Sequence, residues 1–343
     1  MPDTAADILA LPPLLDVEVE AIGIGSPLVD LILRVDEAFL RDEVPGHKGG
    51  MEFIDADSIQ TLIHRAGKLP HQAPGGSAAN ITVGLARLGI GAAFVGATGA
   101  DTFGGFYAEA MISSRVQPRL IDHRTLPTGR VLALVTPDGE RTMRTCLGAA
   151  AALDPDSLSP ATFAGAKLVV VEGYSLFNHE LARAIVRNAR AAGCKIALDL
   201  AALEVVQANR EVIHELFAMG IDVVFANQDE AAVWLPGDPA AALEDLAGRA
   251  TVAVVKLGKH GIIAAAGSER VRVAGTPVDH PLDTIGAGDC FAAGFLAGWL
   301  RGASLDACGR LGCACGAAIV QVEGAQLSPQ QWLHLRGRLD AWA

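Results

Sequence analysis

The sequence predicts an α/β protein whose core is a mostly parallel β-sheet covered by helices on both faces. The first observation is a series of short, almost continuous apolar runs, at residues 168–172, 195–200, 221–226 and 251–257. The second is that helical periodicity fills the first two intervals, at residues 179–192 and 204–219. Apolar strands that alternate with amphipathic helices are typical of a parallel sheet that is buried on both sides.

The composition indicates a globular protein with a large core. The chain has 343 residues, of which 51% are hydrophobic and 19% are charged, and this balance excludes a disordered chain. Its length allows two domains, or one large α/β domain with an appendage. Aromatic residues make up only 5% and there are 38 glycines, so we expect an aliphatic core with many tight turns.

Charge and cysteine content restrict the partners and the compartment. The chain has 27 basic and 39 acidic residues, a net charge of −12, whereas binding to nucleic acid or anionic membranes requires a basic surface. No apolar stretch reaches the roughly 18 residues that a membrane-spanning helix needs. The six cysteines form no CxxC pair, so we interpret them as buried thiols in a reducing cytoplasm.

The N-terminal third departs from the strand and helix alternation. Strand signals flank polar turns in two insertions, at about residues 31–55 and 116–146. The clearest turn, Pro-Asp-Gly-Glu at residues 137–140, indicates a β-hairpin. Neither insertion has room for a crossover helix, so we expect both to pair into a small sheet beside the main domain. Residues 1–15 are expected to form a loose tail before one domain at residues 16–343.

The clearest chemical motif is Asp-Thr-Ile-Gly-Ala-Gly-Asp at residues 283–289, which precedes an apolar helical run. Gly286 and Gly288 allow a tight turn with consecutive N–H groups pointing outward, and a helix that begins there adds its positive end. This arrangement suits the charge that develops on a phosphoryl group during transfer. Asp289 would accept a proton from an attacking hydroxyl. The alternative is that Asp289 only complements the helix dipole.

A second glycine motif opens a helix near the N-terminus. The sequence at residues 75–80 is Gly-Gly-Ser-Ala-Ala-Asn, and the helix is expected to end at residue 88. Gly75 and Gly76 permit a ligand to approach the backbone closely, while Asn80 offers a donor and an acceptor that suit a diol. Helix capping by Ser77 is the alternative interpretation.

A third candidate follows the apolar strand at residues 221–226. Asn227 and Glu230 share a helix face at this strand end, where open α/β sheets bind ligands. They would orient a hydrated Mg²⁺ ion and phosphate groups; a simple helix cap is the alternative. The sequence contains no GxxxxGK[ST] phosphate-binding loop, and the segment from Gly23 lacks the third glycine of the dinucleotide fingerprint.

In their order and spacing, these motifs resemble the signatures of the ribokinase-like (PfkB) family of carbohydrate and nucleoside kinases. The resemblance covers about residues 17–330 and rests on the motif at 75–80, which continues to Gly96 and Asp101, and on the motif at 283–289. It implies a three-layer α/β/α fold with a small β-sheet lid over the substrate. It also implies a phosphotransferase that uses ATP and Mg²⁺ to phosphorylate a primary hydroxyl of a sugar or ribonucleoside.

The resemblance further implies roles for individual residues. Asp289 matches the catalytic base. The matching positions of the anion hole are Gly286, Ala287 and Gly288. The positions that match substrate-binding residues are Asp30, Gly75, Gly76, Asn80 and Glu172. The positions that match the ATP-binding segment are Asn227, Lys256, Gly258 and Gly261. Glu230 matches an acid that acts on Mg²⁺ through water, and Asp283 with the Ile285 carbonyl matches a loop that holds a monovalent cation, such as K⁺, in some members.

Details of the chain resemble the adenosine-kinase branch. Ser77 stands where ribokinases carry Lys, and the segments at residues 27–30 and 35–40 are closer to that branch, although Ser26 replaces its usual Asn. A ribonucleoside such as adenosine is the favoured acceptor. A hexose or ketose kinase, or a non-catalytic sugar- or nucleoside-binding protein on the same fold, are the alternatives. Apolar residues such as Leu31 and Leu33 would also suit a homodimer through the lid.

Overall fold

The computed structural model describes residues 17–342, which fold around two β-sheets. The predicted tail at residues 1–15 lies outside the described residues. No helix in the described part of the chain combines the length and the apolar character needed to cross a membrane.

The larger sheet has nine strands in the order β14-β13-β12-β11-β10-β9-β1-β5-β6. Pairing is parallel from β6 to β12, and β13 and β14 add an antiparallel hairpin at one edge. The strands are β1 (Ala21–Ile24), β5 (Ala92–Gly99), β6 (Val116–His123), β9 (Leu168–Glu172), β10 (Lys195–Asp199), β11 (Val223–Asn227), β12 (Val252–Lys256), β13 (Ile262–Ala266) and β14 (Glu269–Val273). The predicted fold class is therefore confirmed.

Helices cover both faces of this sheet, which explains why its strands are apolar on both sides. In β9, Val169 and Val171 pack into one core, and Leu168 and Val170 pack into the other. The helices of the first layer are α5 (His179–Ala191), α6 (Leu203–Ala208), α7 (Arg210–Gly220), α8 (Gln228–Trp234) and α9 (Pro239–Ala247). Those of the second are α3 (Ser77–Arg87), α10 (Ala287–Leu300), α11 (Leu305–Ile319) and α12 (Pro329–Trp342).

One predicted helix is divided in the structure. The periodicity predicts a single helix at residues 204–219, whereas α6 ends before Asn209 and α7 begins after it. Asn209 is buried, its side-chain amide donates to the Val205 carbonyl at 2.9 Å, and its oxygen lies 3.1 Å from Nε2 of His179. An Asn that bonds its own preceding turn commonly interrupts a helix, because it competes with the regular backbone pattern.

The smaller sheet has five strands in the order β3-β8-β7-β2-β4. They are β2 (Leu28–Arg34), β3 (Met51–Phe53), β4 (His71–Gly75), β7 (Gly129–Val135) and β8 (Arg141–Cys146). This confirms the predicted second sheet, but not its predicted extent of residues 31–55 and 116–146. The part at 116–123 is β6, which pairs with β5 in the larger sheet after the crossover helix α4 (Thr102–Ser113). Strand β4 was not predicted.

The two faces of the smaller sheet differ. On one face, Val29, Leu31 and Leu33 are buried in a core that includes α1 (Glu37–Glu43) and α2 (Ala56–Ala66). The opposite face carries Asp30 and every second residue of β2 after it. This face contacts the C-terminal part of the chain through an ion pair between Arg141 and Asp283. The second face therefore borders the cleft between the two sheets.

Candidate active site

The motif at residues 283–289 forms a tight turn into α10. Gly286 precedes the helix with φ of +72°, a left-handed conformation that favours glycine, and a Cβ there would lie 2.8 Å from the Ala325 Cβ. The Asp283 carboxylate fixes the turn by accepting hydrogen bonds from the N–H groups of Ile285 at 3.1 Å and Gly324 at 2.8 Å. The Ala287 N–H donates to the Thr284 carbonyl at 3.2 Å, whereas the N–H groups of Gly288 and Asp289 have no partner within the helix and are the predicted anion-binding donors that this loop offers.

Asp289 lies in the first turn of α10 and faces the N-terminal turns of α3. Ser77 Oγ donates to one carboxylate oxygen at 2.7 Å, and Asn80 Nδ2 donates to the other at 2.9 Å. Burial raises the pKa of Asp289 to about 6, although the bonds from Asn80 and Ser77 oppose the rise. A carboxylate with this pKa is suited to accept a proton near neutral pH.

Ser77 is a site residue whose role the sequence interpretation missed. The residue that precedes α3 is Gly76, which has no side chain to cap the helix, and Ser77 does not cap it either. Ser77 instead directs its hydroxyl to Asp289. Gly76 has φ of +102°, and a Cβ there would lie 2.3 Å from the Ser26 carbonyl oxygen, so only glycine lets the two loops approach this closely.

Asp30 and Gly75 lie together where the smaller sheet meets the cleft. A Cβ at Gly75 would be 2.7 Å from Asp30 Oδ2, so the glycine leaves space for that carboxylate. Burial raises the pKa of Asp30 to about 6, while the Arg141 guanidinium acts in the opposite direction. Among the described residues no group donates a hydrogen bond to the Asp30 side chain, which leaves its oxygens to accept bonds from a ligand.

Glu172 is the last residue of β9, the strand-end position that the resemblance implies, and its role in substrate binding stays a prediction. It is buried at the end of β9, where one oxygen accepts from Ser26 N at 2.8 Å and the other from Ala78 N at 3.0 Å. Burial raises its pKa. Both oxygens are thus engaged within the protein, and Glu172 links the loop at Ser26 to the first turn of α3.

A cavity of about 590 Å³ joins the remaining candidates. It is lined by Asp289, Gly286 and Gly288 and by residues at the carboxyl ends of β10, β11 and β12. The predicted residues among the latter are Asn227, Glu230, Lys256 and Gly258. Gly261 does not line the cavity: its φ is +87°, and a Cβ there would lie 1.9 Å from the Val273 carbonyl oxygen, which explains the glycine structurally.

Asn227 and Glu230 form a reciprocal cap at the start of α8. Asn227 Oδ1 accepts from the Glu230 N–H at 2.9 Å, and Glu230 accepts from the Asn227 N–H at 2.8 Å. Burial and the nearby Asp199 carboxylate raise the pKa of Glu230 to about 7. In the described part of the chain no three acidic, histidine or cysteine side chains are arranged to hold a metal ion. The donor set therefore fits only an ion that is bound mainly by water and phosphate oxygens.

The predicted monovalent-cation loop does not fit a cation in this structure. Besides the bonds from Ile285 and Gly324, the Asp283 carboxylate forms an ion pair with Arg141 of β8. A second positive charge at this carboxylate would be repelled by the guanidinium. The contact instead joins the smaller sheet to the anion-binding loop.

Comparison with known proteins identifies relatives over most of the chain. Residues 50–332 match the family described as pfkB family carbohydrate kinase. A 5-dehydro-2-deoxygluconokinase of Shouchella clausii is 30% identical over 72% of this chain and 80% of its own length. An ATP-dependent ribose-1-phosphate kinase of Halopiger xanaduensis is 31% identical over 75% of this chain and 84% of its own.

Two solved structures are similar over nearly their whole length. A probable sugar kinase from Rhizobium etli has a TM-score of 0.82 with 32% identity, and an adenosine kinase from Sinorhizobium meliloti has a TM-score of 0.82 with 34% identity. In both cases the match covers 94% of this chain and 99% of the other. The relatives share a kinase reaction but differ in the acceptor.

Proposed function

This chain belongs to the pfkB family of carbohydrate kinases and is an ATP-dependent kinase of a sugar or nucleoside, and we propose that its acceptor is a ribonucleoside phosphorylated at the primary hydroxyl. The observation that carries the catalytic assignment is the position of Asp289. Its carboxylate lies at the start of α10, is held by Ser77 and Asn80, and borders the same cavity as the anion-binding glycines.

The chemistry follows from this position. The acceptor hydroxyl gives its proton to Asp289 while its oxygen forms a bond to the γ-phosphorus of ATP. The bond between that phosphorus and the oxygen shared with the β-phosphate breaks, and ADP leaves. The N–H group of Gly288, joined by that of Ala287 if it leaves the Thr284 carbonyl, would hold the charge on the transferred group, since donors at a helix N-terminus are oriented toward an anion.

The cleft face of the smaller sheet favours a nucleoside over a hydroxyl-rich sugar. Asp30 lies on this face, and the strand register places Val131 opposite it and pairs Ile32 with Ala133, which in turn pairs with Met143. Asp30 thus lies among mostly apolar side chains, with Thr145 beyond Val131 and with Arg141 already paired with Asp283, an arrangement that suits one diol attached to an apolar ring. A hexose would require more polar partners, because an unsatisfied buried hydroxyl is costly.

Strand β3 extends this apolar face at the edge of the sheet. It pairs with β8, which places Met51 beside Met143 and Phe53 beside Thr145. Met51 is 50% exposed and Phe53 is 65% exposed. Exposed apolar side chains next to a cleft are available to a planar base, and aromatic rings favour such contacts.

Mg²⁺ would be held at the phosphate end of the cavity. We propose that Glu230 orients waters of the hydrated ion while the phosphates supply direct ligands, in line with the preference of Mg²⁺ for retaining several waters. The ion would supply neutralisation of phosphate charge. We do not propose a monovalent cation at Asp283, because Arg141 already pairs with it.

The cysteine side chains bear on the compartment of the protein. The cysteines of the described residues are all free and buried, which supports a reducing compartment such as the cytoplasm. A homodimer through the smaller sheet stays a prediction, but Leu31 and Leu33 would not form its surface, because both are buried in the core beneath that sheet.

The test is a coupled ADP-release assay on a panel of nucleosides, ribose, fructose and glucose, with the phosphorylated product identified by mass. We expect adenosine or another ribonucleoside to give a kcat/KM at least tenfold above that of any free sugar. Asp289→Asn should abolish the signal with every acceptor. A ketose or hexose that exceeds all nucleosides would overturn the acceptor assignment and favour the sugar kinase.

A further inference from the structure

We propose that Lys256 is a catalytic residue whose ammonium group contacts the phosphoryl group in transfer, and that Asp199 is the residue that positions it. This inference rests on the proposed kinase site. The inference adds two groups to that site: a cation beside the anion-binding loop, and an acid, Asp199, that no sequence motif indicated.

Strand ends bring these two side chains together. Lys256 is the last residue of β12 and Asp199 the last residue of β10, with β11 between them. Lys256 Nζ donates to Asp199 Oδ2 at 2.8 Å, and the two side chains are 15% and 4% exposed. The pair therefore lies at the floor of the cavity.

The ammonium group lies beside the anion-binding turn. A Cβ built on Gly288 would be only 3.3 Å from Lys256 Nζ. Any larger side chain at position 288 would displace the lysine or be displaced by it. An anion bound by the N–H groups of this turn would thus be within reach of the ammonium.

Asp199 is held so that it fixes the lysine. Its second oxygen accepts from the Ala201 N–H at 3.0 Å. Ala201 has φ of +67°, a conformation that a residue other than glycine rarely adopts. Backbone strain of this kind is concentrated at functional sites, where the surroundings impose it.

The cavity has a single positive side chain with which to attract the phosphates of a ligand. Lys256 is the one basic residue among those that line it, together with the acids Asp199, Asp229, Glu230 and Asp289. Burial opposes the charged form of Lys256, but the carboxylates of Asp199 and Glu230 prevail and raise its pKa, so it stays an ammonium ion. In the described chain Asp199 is its one hydrogen-bond acceptor, which leaves donors for a ligand.

The chemical consequence concerns the bond that breaks. As the bond from the γ-phosphorus to the bridging oxygen is lost, the electron pair passes to the β-phosphate of ADP, and negative charge persists on the transferred group. An ammonium ion fixed in advance stabilises this charge without reorganising. Fixed electrostatic groups of this kind typically contribute about 10²–10³ in rate.

The alternative is that the Lys256–Asp199 ion pair only joins β10 to β12. The catalytic role and this structural role predict different effects on nucleotide binding. A lysine that contacts the γ-phosphoryl group should distinguish a triphosphate from ADP, whereas a structural lysine should affect both equally. This comparison needs no acceptor, so it is independent of whether the nucleoside assignment is correct.

The experiment uses Lys256→Met, Lys256→Arg and the exposed neighbour Lys259→Met as the matched control. We expect Lys256→Met to lower kcat by about 10²-fold or more while the acceptor KM changes less than about threefold. In calorimetry, its affinity for β,γ-imido-ATP should fall by about tenfold relative to its affinity for ADP. Lys256→Arg should recover part of both losses, and Lys259→Met should resemble wild type.

The double variant Lys256→Met/Asp199→Asn keeps the test decisive if an unpaired Asp199 prevents folding, because it removes both charges. It should show the same loss of discrimination between imido-ATP and ADP. If Asp199 acts through Lys256, adding Asp199→Asn to Lys256→Met should lower kcat little further. If the folded variants distinguish imido-ATP from ADP as well as the wild type does, Lys256 has no catalytic role. If the effects of Lys256→Met and Asp199→Asn on kcat are additive, Asp199 does not act by positioning Lys256.

Discussion

The Asn80 side-chain amide donates a 2.9 Å hydrogen bond to the Asp289 carboxylate, joining residues 209 positions apart in the chain. The bond connects the N-terminal turns of α3 and α10. It stabilises the ionised form of Asp289, and with the bond from Ser77 it limits the rise in pKa that burial causes. The two glycine motifs therefore converge, and the first tunes the carboxylate of the second that we propose as the catalytic base.

Asn80→Ala should shift the acid limb of the kcat/KM profile, which reports the pKa values of the free enzyme, to higher pH. In the wild type this limb should fall near the Asp289 pKa of about 6, with activity lost as the pH decreases and the base is protonated. Loss of the Asn80 bond should raise that pKa further, by up to about one unit. The measurement is kcat/KM for the acceptor between pH 5 and 9, with the exposed Gln60→Ala as control. Ser77→Ala should shift the limb in the same direction; movement toward lower pH would contradict the assignment.

Asp30→Ala should raise the KM for the acceptor by about tenfold or more and leave the KM for ATP nearly unchanged. The Asp30 carboxylate has free acceptor oxygens on the cleft face, and each charge-assisted bond to a hydroxyl contributes about 1.5–3 kcal/mol. Steady-state kinetics with each substrate varied in turn would measure this. Asp57→Ala, on the exposed face of α2, serves as the control. A larger effect on the KM for ATP than on that for the acceptor would show that Asp30 lies at the ATP end of the cleft.

Asp289→Asn should abolish turnover while stabilising the fold at neutral pH. The folded-state pKa of about 6 lies above the ordinary value of 3.8, so the folded protein holds this proton more tightly than the unfolded chain does. Ionisation of Asp289 therefore lowers wild-type stability as the pH rises from about 4 to 6. Asn cannot ionise, so the stability gain of the variant should be near zero at pH 4 and full above about pH 7.

The gain in the free energy of unfolding is at most about 3 kcal/mol, because the pKa of Asp289 rises from 3.8 to about 6 when the protein folds. Urea unfolding of wild type, Asp289→Asn and the control Asp279→Asn at pH 4.5 and 7.5 would measure it. Asp279 is exposed, so its variant should show no such dependence. A gain of the same size at both pH values would show that Asp289 ionises normally in the folded protein.

Much of the fold was predictable because its signals are local. The strands of the larger sheet are continuous apolar runs since helices cover both faces, and the turn before α10 is marked by glycines that the backbone geometry requires. Strand β4 was missed because Pro74 and Gly75 are unfavourable in a strand, and only its edge position beside β2 tolerates them. Strand β6 was assigned to the wrong sheet because its sequence carries no signal for its partner.

The site was less predictable than the fold, because its geometry depends on pairings between distant residues. The motifs located Asp289 and the anion-binding glycines. No local pattern indicates that Ser77 donates to Asp289 or that Asp199 binds Lys256, since these bonds form only when the strand and helix ends converge. Asp199 does end an apolar strand, as Glu172 does, and this shared position is the signal that would have found it.

The last prediction concerns closure of the smaller sheet over the acceptor. Phosphoryl transfer must exclude water, which would otherwise accept the phosphoryl group in place of the substrate. The Arg141–Asp283 ion pair already joins β8 to the loop that precedes α10. Asp30, which we propose binds the acceptor, lies on the same face of the smaller sheet. Acceptor binding should therefore tighten the smaller sheet against the larger one, typically within microseconds to milliseconds.

Hydrogen exchange on the free protein and on its complex with the acceptor would measure this closure. Added protection should appear in β2, β3, β7 and β8 together and in the loop at residues 75–80. Strand β6 belongs to the larger sheet and should be unchanged, which makes it the internal control. If the loop becomes protected while the four strands do not, the smaller sheet is a static appendage or a dimer surface, and water must be excluded by other parts of the site.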